Sequence, residues 1–170
     1  KLLSPAISRL ARMRMWRIES WMNHPVAAQR EVLQDLVTTA QYTQFGHQYK
    51  FEKLFNIRDF KNTVPVREYD DFKPYIERMM LGEENILWPT PVKWFAKSSG
   101  TTNDRSKFIP VSEESLKDGH YKASKDVLTL YYNNFPASDL LTGKGLVIGG
   151  SHTVNQLNDE IQFGDLSAVL

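Results

Sequence analysis

The residues best suited to chemistry lie in one short run, Ser98-Ser99-Gly100-Thr101-Thr102-Asn103-Asp104-Arg105-Ser106-Lys107. Ser98, Ser99, Thr101 and Thr102 supply short hydroxyl donors around a glycine. Gly100 lets the backbone approach an anion closely and adopt positive φ. Successive N–H groups in such a turn can form an anion-binding nest. Lys107 adds a point charge at the far end of the loop. Each charge-assisted hydrogen bond to a phosphate would contribute about 1.5–3 kcal/mol. The same residue types are ordinary turn formers. Composition alone therefore leaves two readings open, a polyphosphate receptor and a plain polar hairpin loop.

Other chemistries find no support. A P-loop needs a glycine directly before Lys-Ser/Thr, but Ser106 precedes Lys107 and Phe108 follows it. Gly143-Lys144-Gly145 has the spacing of neither a P-loop nor a dinucleotide-binding turn. There is no Gly-x-Ser-x-Gly nucleophile elbow. His24, His47, His120 and His152 are scattered, so no zinc site is expected. The chain has no cysteine, which excludes disulfides and cysteine nucleophiles and fits a reducing, cytoplasmic compartment. Its 21 Lys+Arg and 20 Asp+Glu leave a net charge of +1, so no nucleic-acid partner held by bulk positive charge is expected. With 41% hydrophobic residues the 170-residue chain can build a real core. The first residues lack the apolar stretch of a signal peptide. No run approaches the ~20 apolar residues of a membrane span.

The elements that must position the loop follow from hydrophobic spacing. Ser4 and Pro5 open a helix whose stripe is Ile7, Leu10, Ala11, Met15, Ile18, Trp21 and Met22, with Arg14 intruding on it. Such a basic amphipathic helix can rest on a membrane surface. Packing against the protein, with solvated arginines, is the simpler reading. Pro25 starts a second helix with the stripe Val26, Leu33, Leu36, Val37 and Ala40, and Gly46 is the expected terminator. The two are expected to form an antiparallel pair within residues 1–50. A third helix is predicted over Asp70–Met80, with Pro74 in its first turn and Asp70 and Asp71 as caps. Strands are predicted at 92–96 and 107–111, flanking the loop. A long helix follows from Ser112 to about Asn134, with the stripe Leu116, Ala123, Val127, Leu130 and Tyr131. Further strands are expected at 145–149 and from Ile161. The pattern is α/β, a helical N-terminal segment followed by a mixed sheet. The chain starts at Lys1 and stops at the apolar Ala168-Val169-Leu170, so it reads as a portion of a longer domain.

Ser98-Ser99-Gly100-Thr101-Thr102 followed by Lys107-Phe108-Ile109-Pro110 resembles the phosphate-loop signature of acyl-adenylate-forming enzymes. The specific resemblance is to the auxin-responsive acyl acid–amido synthetase family in its bacterial form. It extends through Thr43-Gln44-Phe45-Gly46, Val64-Pro65-Val66-Arg67-Glu68-Tyr69-Asp70, Pro74-Tyr75-Ile76-Glu77-Arg78-Met79 and Lys93-Trp94-Phe95-Ala96-Lys97. One departure stands out. Many adenylate-forming enzymes have glycine after the two threonines, where this chain has Asn103, and one extra residue precedes the lysine. Asparagine tolerates the left-handed region well.

The resemblance implies MgATP-dependent activation of a carboxylic acid, then transfer of the acyl group to an amino acid amine. It gives Ser98, Ser99, Gly100, Thr101 and Thr102 the phosphate-binding part and Lys107 the catalytic one. It makes residues 1–170 the N-terminal portion of the large adenylation domain, with residues 92–170 as its strand, loop, helix and strand part. The adenine, ribose and metal contacts and the small C-terminal domain then belong to chain beyond Leu170. Tyr121, Lys122 and Lys125 could meet a carboxylate, though a solvated helix face is the simpler account. The competing readings are an acyl-CoA ligase and a non-catalytic binding protein that keeps the fold.

Overall fold

The computed structural model describes residues 3–98, 106–136, 138, 144, 146, 154–158 and 160–165. The chain divides into two compact units, Lys1–Gln29 with Glu114–Ile148 and Arg30–Glu113 with Gly149–Leu170.

In the first unit α1 (Leu3–Asn23) packs on α6 (Lys122–Asn134). Ile18 of α1 is buried, while Trp21 and Met22, expected on the same stripe, are exposed. Arg14 turns inward and forms a bidentate ion pair with Asp126, at 2.5 Å through Nε and 2.7 Å through Nη2. Its guanidinium also lies 4.7 Å from the Trp21 ring centroid. The Asp126 hydrogen bonds and charge raise the Arg14 pKa against the cost of burial. The predicted single helix from Ser112 is interrupted, because Ser115–Tyr121 winds as a π-helix before α6 begins. That interruption breaks the 3.6-residue period. The inward positions of α6 are accordingly Lys122, Asp126, Thr129 and Tyr132, one residue out of phase with the predicted stripe. Val127, Leu130 and Tyr131 are exposed.

The second unit holds the sheet. Its strands are β1 (Trp94–Lys97), β2 (Phe108–Val111), β3 (Val154–Gln156) and β4 (Gln162–Asp165), in the order β2-β1-β4-β3. β1 runs antiparallel to β2 and parallel to β4, so the sheet is mixed as predicted. β1 is interior, and Phe95 and Ala96 are almost wholly buried. Of the strand expected at 145–149 only Leu146 is among the described residues, and it is exposed and in no strand.

One face of this sheet packs on α5 (Tyr69–Met80), through a core of Ile76, Met79, Ile86, Val92, Phe95 and Ile161. Asp71 caps α5 by accepting the Glu68 N–H at 2.9 Å. Pro74 stands in the interior of α5, not in its first turn, so the helix forgoes one N–H there. A second cluster joins Val37 and Ala40, near the end of α2 (Pro25–Ala40), to Phe45, Phe51 and Leu54. Phe72 and Tyr75 pack against both clusters. Val26 and Leu36, expected on the buried stripe of α2, are exposed.

Gly46 does not terminate α2, which ends at Ala40. It lies inside the short helix α3 (Gln44–Gln48). α3 is capped by Thr43, whose fully buried hydroxyl donates to the Ala40 carbonyl at 2.7 Å and accepts the Gly46 N–H at 3.0 Å. A 3-10 turn at Phe51–Lys53 and α4 (Ile57–Thr63) complete the unit.

Candidate functional site

The β1–β2 hairpin sets both ends of the candidate loop. The ends meet where the Ser98 N–H donates to the Lys107 carbonyl at 2.9 Å. Ser98 is half-buried and Lys107 exposed. Ser99, Gly100, Thr101 and Thr102 lie outside the described residues. The structure thus brings together the first and last members of the predicted site.

The hairpin register explains the direction of the exit strand. Lys97 faces Phe108, and the Ser98–Lys107 bond makes the next pair the hydrogen-bonded one. Antiparallel pairs alternate, so the N–H and C=O of Phe108 point away from β1. Both meet the Tyr69 hydroxyl. It accepts the Phe108 N–H at 2.9 Å and donates to the Phe108 carbonyl at 3.2 Å. The Lys107 ammonium sits 5.3 Å from the centroid of the Tyr69 ring. Tyr69 is the first residue of α5 and packs against the main core. The resemblance quoted Tyr69 only as part of a motif. Its role in the loop's surroundings was invisible because the contact spans 39 positions.

The other quoted motifs build the platform behind Tyr69. The Tyr75 hydroxyl donates to Gln48 Oε1 at 2.8 Å, and Arg78 donates to Gln44 Oε1 at 2.8 Å. Arg78 also binds Glu83, whose carboxyl is held below its ordinary pKa by that hydrogen bond. Arg67 donates to the Tyr49 hydroxyl and stands 5.3 Å from the Tyr49 ring centroid. These contacts tie α3, α5 and the segment before α5 into one support.

Tyr121, Lys122 and Lys125 lie in the first unit, with Tyr121 and Lys125 exposed and Lys122 half-buried. Among the described residues no group of three or more His, Cys, Asp or Glu could hold a metal ion. No helix among them is long and apolar enough to cross a membrane.

Comparison with known proteins decides the family. The family model described as the GH3 family N-terminal domain matches residues 14–170. The chain belongs to the GH3 family. It is similar to the indole-3-acetic acid-amido synthetase GH3.2 of Arabidopsis thaliana, at 33% identity over 76% of this chain and 23% of that protein. It is also similar to the jasmonoyl–L-amino acid synthetase JAR4 of Nicotiana attenuata, at 30% identity over 69% of this chain and 20% of that one. Among solved structures, the GH3.15 acyl acid amido synthetase superposes with a TM-score of 0.71 over 83% of this chain and 25% of its own, at 23% identity. The helical segment and mixed sheet are thus the fold of a GH3 amido synthetase. The chain spans about a quarter of the length of these relatives.

Proposed function

We propose that the whole protein is an ATP-dependent acyl acid–amido synthetase, in the family's bacterial form. It activates a carboxylic acid as an acyl-adenylate and passes the acyl group to an amino acid amine. The observation that carries the reading is the junction of Ser98 and Lys107 at the mouth of a β1–β2 hairpin, in a chain that belongs to the GH3 family. Relatives named for amido synthesis with indole-3-acetic acid and with jasmonate support the reaction class. The identities of about 30% with these plant relatives leave room for a different acid.

In this reading residues 1–170 form the N-terminal portion of the large adenylation domain. Ser98, Ser99, Gly100, Thr101 and Thr102 bind the β- and γ-phosphates of ATP. When the acyl carboxylate attacks the α-phosphate, pyrophosphate leaves and gains negative charge. Preplaced hydroxyls, N–H groups and the Lys107 ammonium stabilise that developing charge more than they stabilise bound ATP. The reaction takes Mg²⁺ with ATP, and the ligands for the metal come from outside the described residues. Small molecules, a carboxylic acid and an amino acid, are the partners. We place the protein in the cytoplasm, in keeping with the absence of cysteine from this chain.

Carboxylate-dependent ATP–pyrophosphate exchange by the full-length protein, run over a panel of carboxylic acids, tests the proposal. Lys107→Ala should slow the exchange by more than about tenfold, in line with the loss of one transition-state donor. An unchanged rate would remove Lys107 from the site. Exchange with no acid in the panel would count against adenylation itself. Products formed with amino acids, against those formed with CoA, separate an amido synthetase from an acyl-CoA ligase.

A further inference from the structure

We propose that Tyr69 is a positioning residue for Lys107, acting on it through two separate contacts. The inference rests on the proposed role of Lys107 and extends it to a residue outside the loop. The first contact is the hydroxyl, which binds both outward-facing peptide groups of Phe108, at 2.9 Å and 3.2 Å. That fixes the backbone immediately after Lys107. The second is the ring, whose centroid lies 5.3 Å from the Lys107 ammonium. An ammonium at this distance is attracted by the ring quadrupole.

Three further observations bear on this assignment. Tyr69 opens α5, and a helix start is a rigid place from which to aim a side chain. The cap at Glu68, held by Asp71 at 2.9 Å, fixes that start. The ring also packs on the cluster around Phe95, so its plane is held from behind. Finally, Lys107 is exposed and appears in no salt bridge among the described residues. A long lysine stem without such an anchor samples many rotamers, and ordering it costs free energy when the phosphate arrives. Tyr69 lowers that cost by holding the lysine near the loop mouth beforehand.

The two contacts can be tested apart in the full-length protein. Tyr69→Phe keeps the ring and removes the hydroxyl. Tyr69→Leu removes both. Hydrogen exchange across residues 106–112 should speed up in both variants, since the Phe108 N–H loses its acceptor. In carboxylate-dependent pyrophosphate exchange, Tyr69→Leu should lower kcat/KM for ATP by roughly fivefold, the equivalent of one exposed cation–π contact. Tyr69→Phe should lose less. The deciding measurement is the double variant. On a Lys107→Ala background, Tyr69→Leu should change the rate by less than about twofold, because residues that act through one another are not additive.

If the two single losses simply multiply, Tyr69 does not act through Lys107 and the inference falls while the role of Lys107 stands. An unaltered rate in Tyr69→Leu, beside a slow Lys107→Ala, overturns it equally. A silent Lys107→Ala overturns both the inference and the reading beneath it. Tyr69→Phe, with the packed ring intact, guards against a fold lost in Tyr69→Leu.

Discussion

A Cβ placed on Gly46 would stand 2.1 Å from the Ala40 carbonyl oxygen and 2.8 Å from that of Gln41. Both neighbours are backbone, at the end of α2, and neither can step aside. Gly46→Ala should therefore cost about 3 kcal/mol, the upper end for overpacking. A urea titration reads this directly, and an unmoved midpoint would show that the turn relaxes. Thr43 belongs to the same device, since its hydroxyl serves the Ala40 carbonyl and the Gly46 N–H together. The sequence marked Thr43-Gln44-Phe45-Gly46 by resemblance, and Gly46 otherwise only as a helix terminator. Its physical reason is a close approach between two chain segments, which no local propensity encodes. Ser98 and Lys107 were legible as residue types, because hydroxyls, glycine and lysine in one loop suit an anion, although the same types also make a polar hairpin loop. Tyr69 was not, since nothing in a tyrosine 39 positions away says that its hydroxyl faces a strand.

Among the elements, those with a strong apolar period and clear caps were readable. α5 was expected from Asp70 to Met80 and runs from Tyr69 to Met80. β1 and β2 were expected to within two residues of where they stand. β3 escaped because its three residues are all exposed and carry no alternation. α4 escaped because its seven residues bury no side chain, and an Asn56 cap is a weak signal alone. The inward face of α6 was missed because the π-helical turn before it is silent in the sequence, and because nothing local pairs Asp126 with Arg14, 112 positions away.

That ion pair carries a prediction. Both side chains are only about one-fifth exposed, at 18% and 20%. Arg14→Met leaves a carboxylate without its partner and should cost about 2 kcal/mol. Arg14→Met with Asp126→Leu should cost less than the single change, because no charge is stranded. Denaturant unfolding of the three variants reads the coupling. Additive losses would show that the pair contributes nothing beyond its two side chains.

At the scale of the molecule, the chain leaves its first unit after Gln29, builds the second, and returns at Glu114 before crossing back at Gly149. Neither unit is a continuous stretch, so neither was visible as a domain in the sequence. The mixed sheet was foreseeable from alternating helices and strands. Its order was not, since the parallel pairing of β1 with β4 joins segments far apart in the chain. This portion spans about a quarter of the length of its relatives. It holds one phosphate-loop candidate and, among the described residues, no metal-ligating cluster. The 170-residue chain by itself should accordingly show no micromolar binding of MgATP in isothermal titration. A micromolar isotherm would mean that far more of the nucleotide site lies within these residues than the loop.

Among the described strands β2 lies at one edge of the sheet, and edge strands usually offer a row of donors to any passing chain. Here that row is empty. Alternation from Phe108 makes Pro110 the next outward-facing position of the strand, and proline has no N–H to give. The Phe108 N–H is already taken by Tyr69. The outward-facing positions Phe108 and Pro110 therefore leave a foreign strand no free N–H to pair with. Tyr69, which steadies the loop mouth, thus also guards this rim beside Pro110.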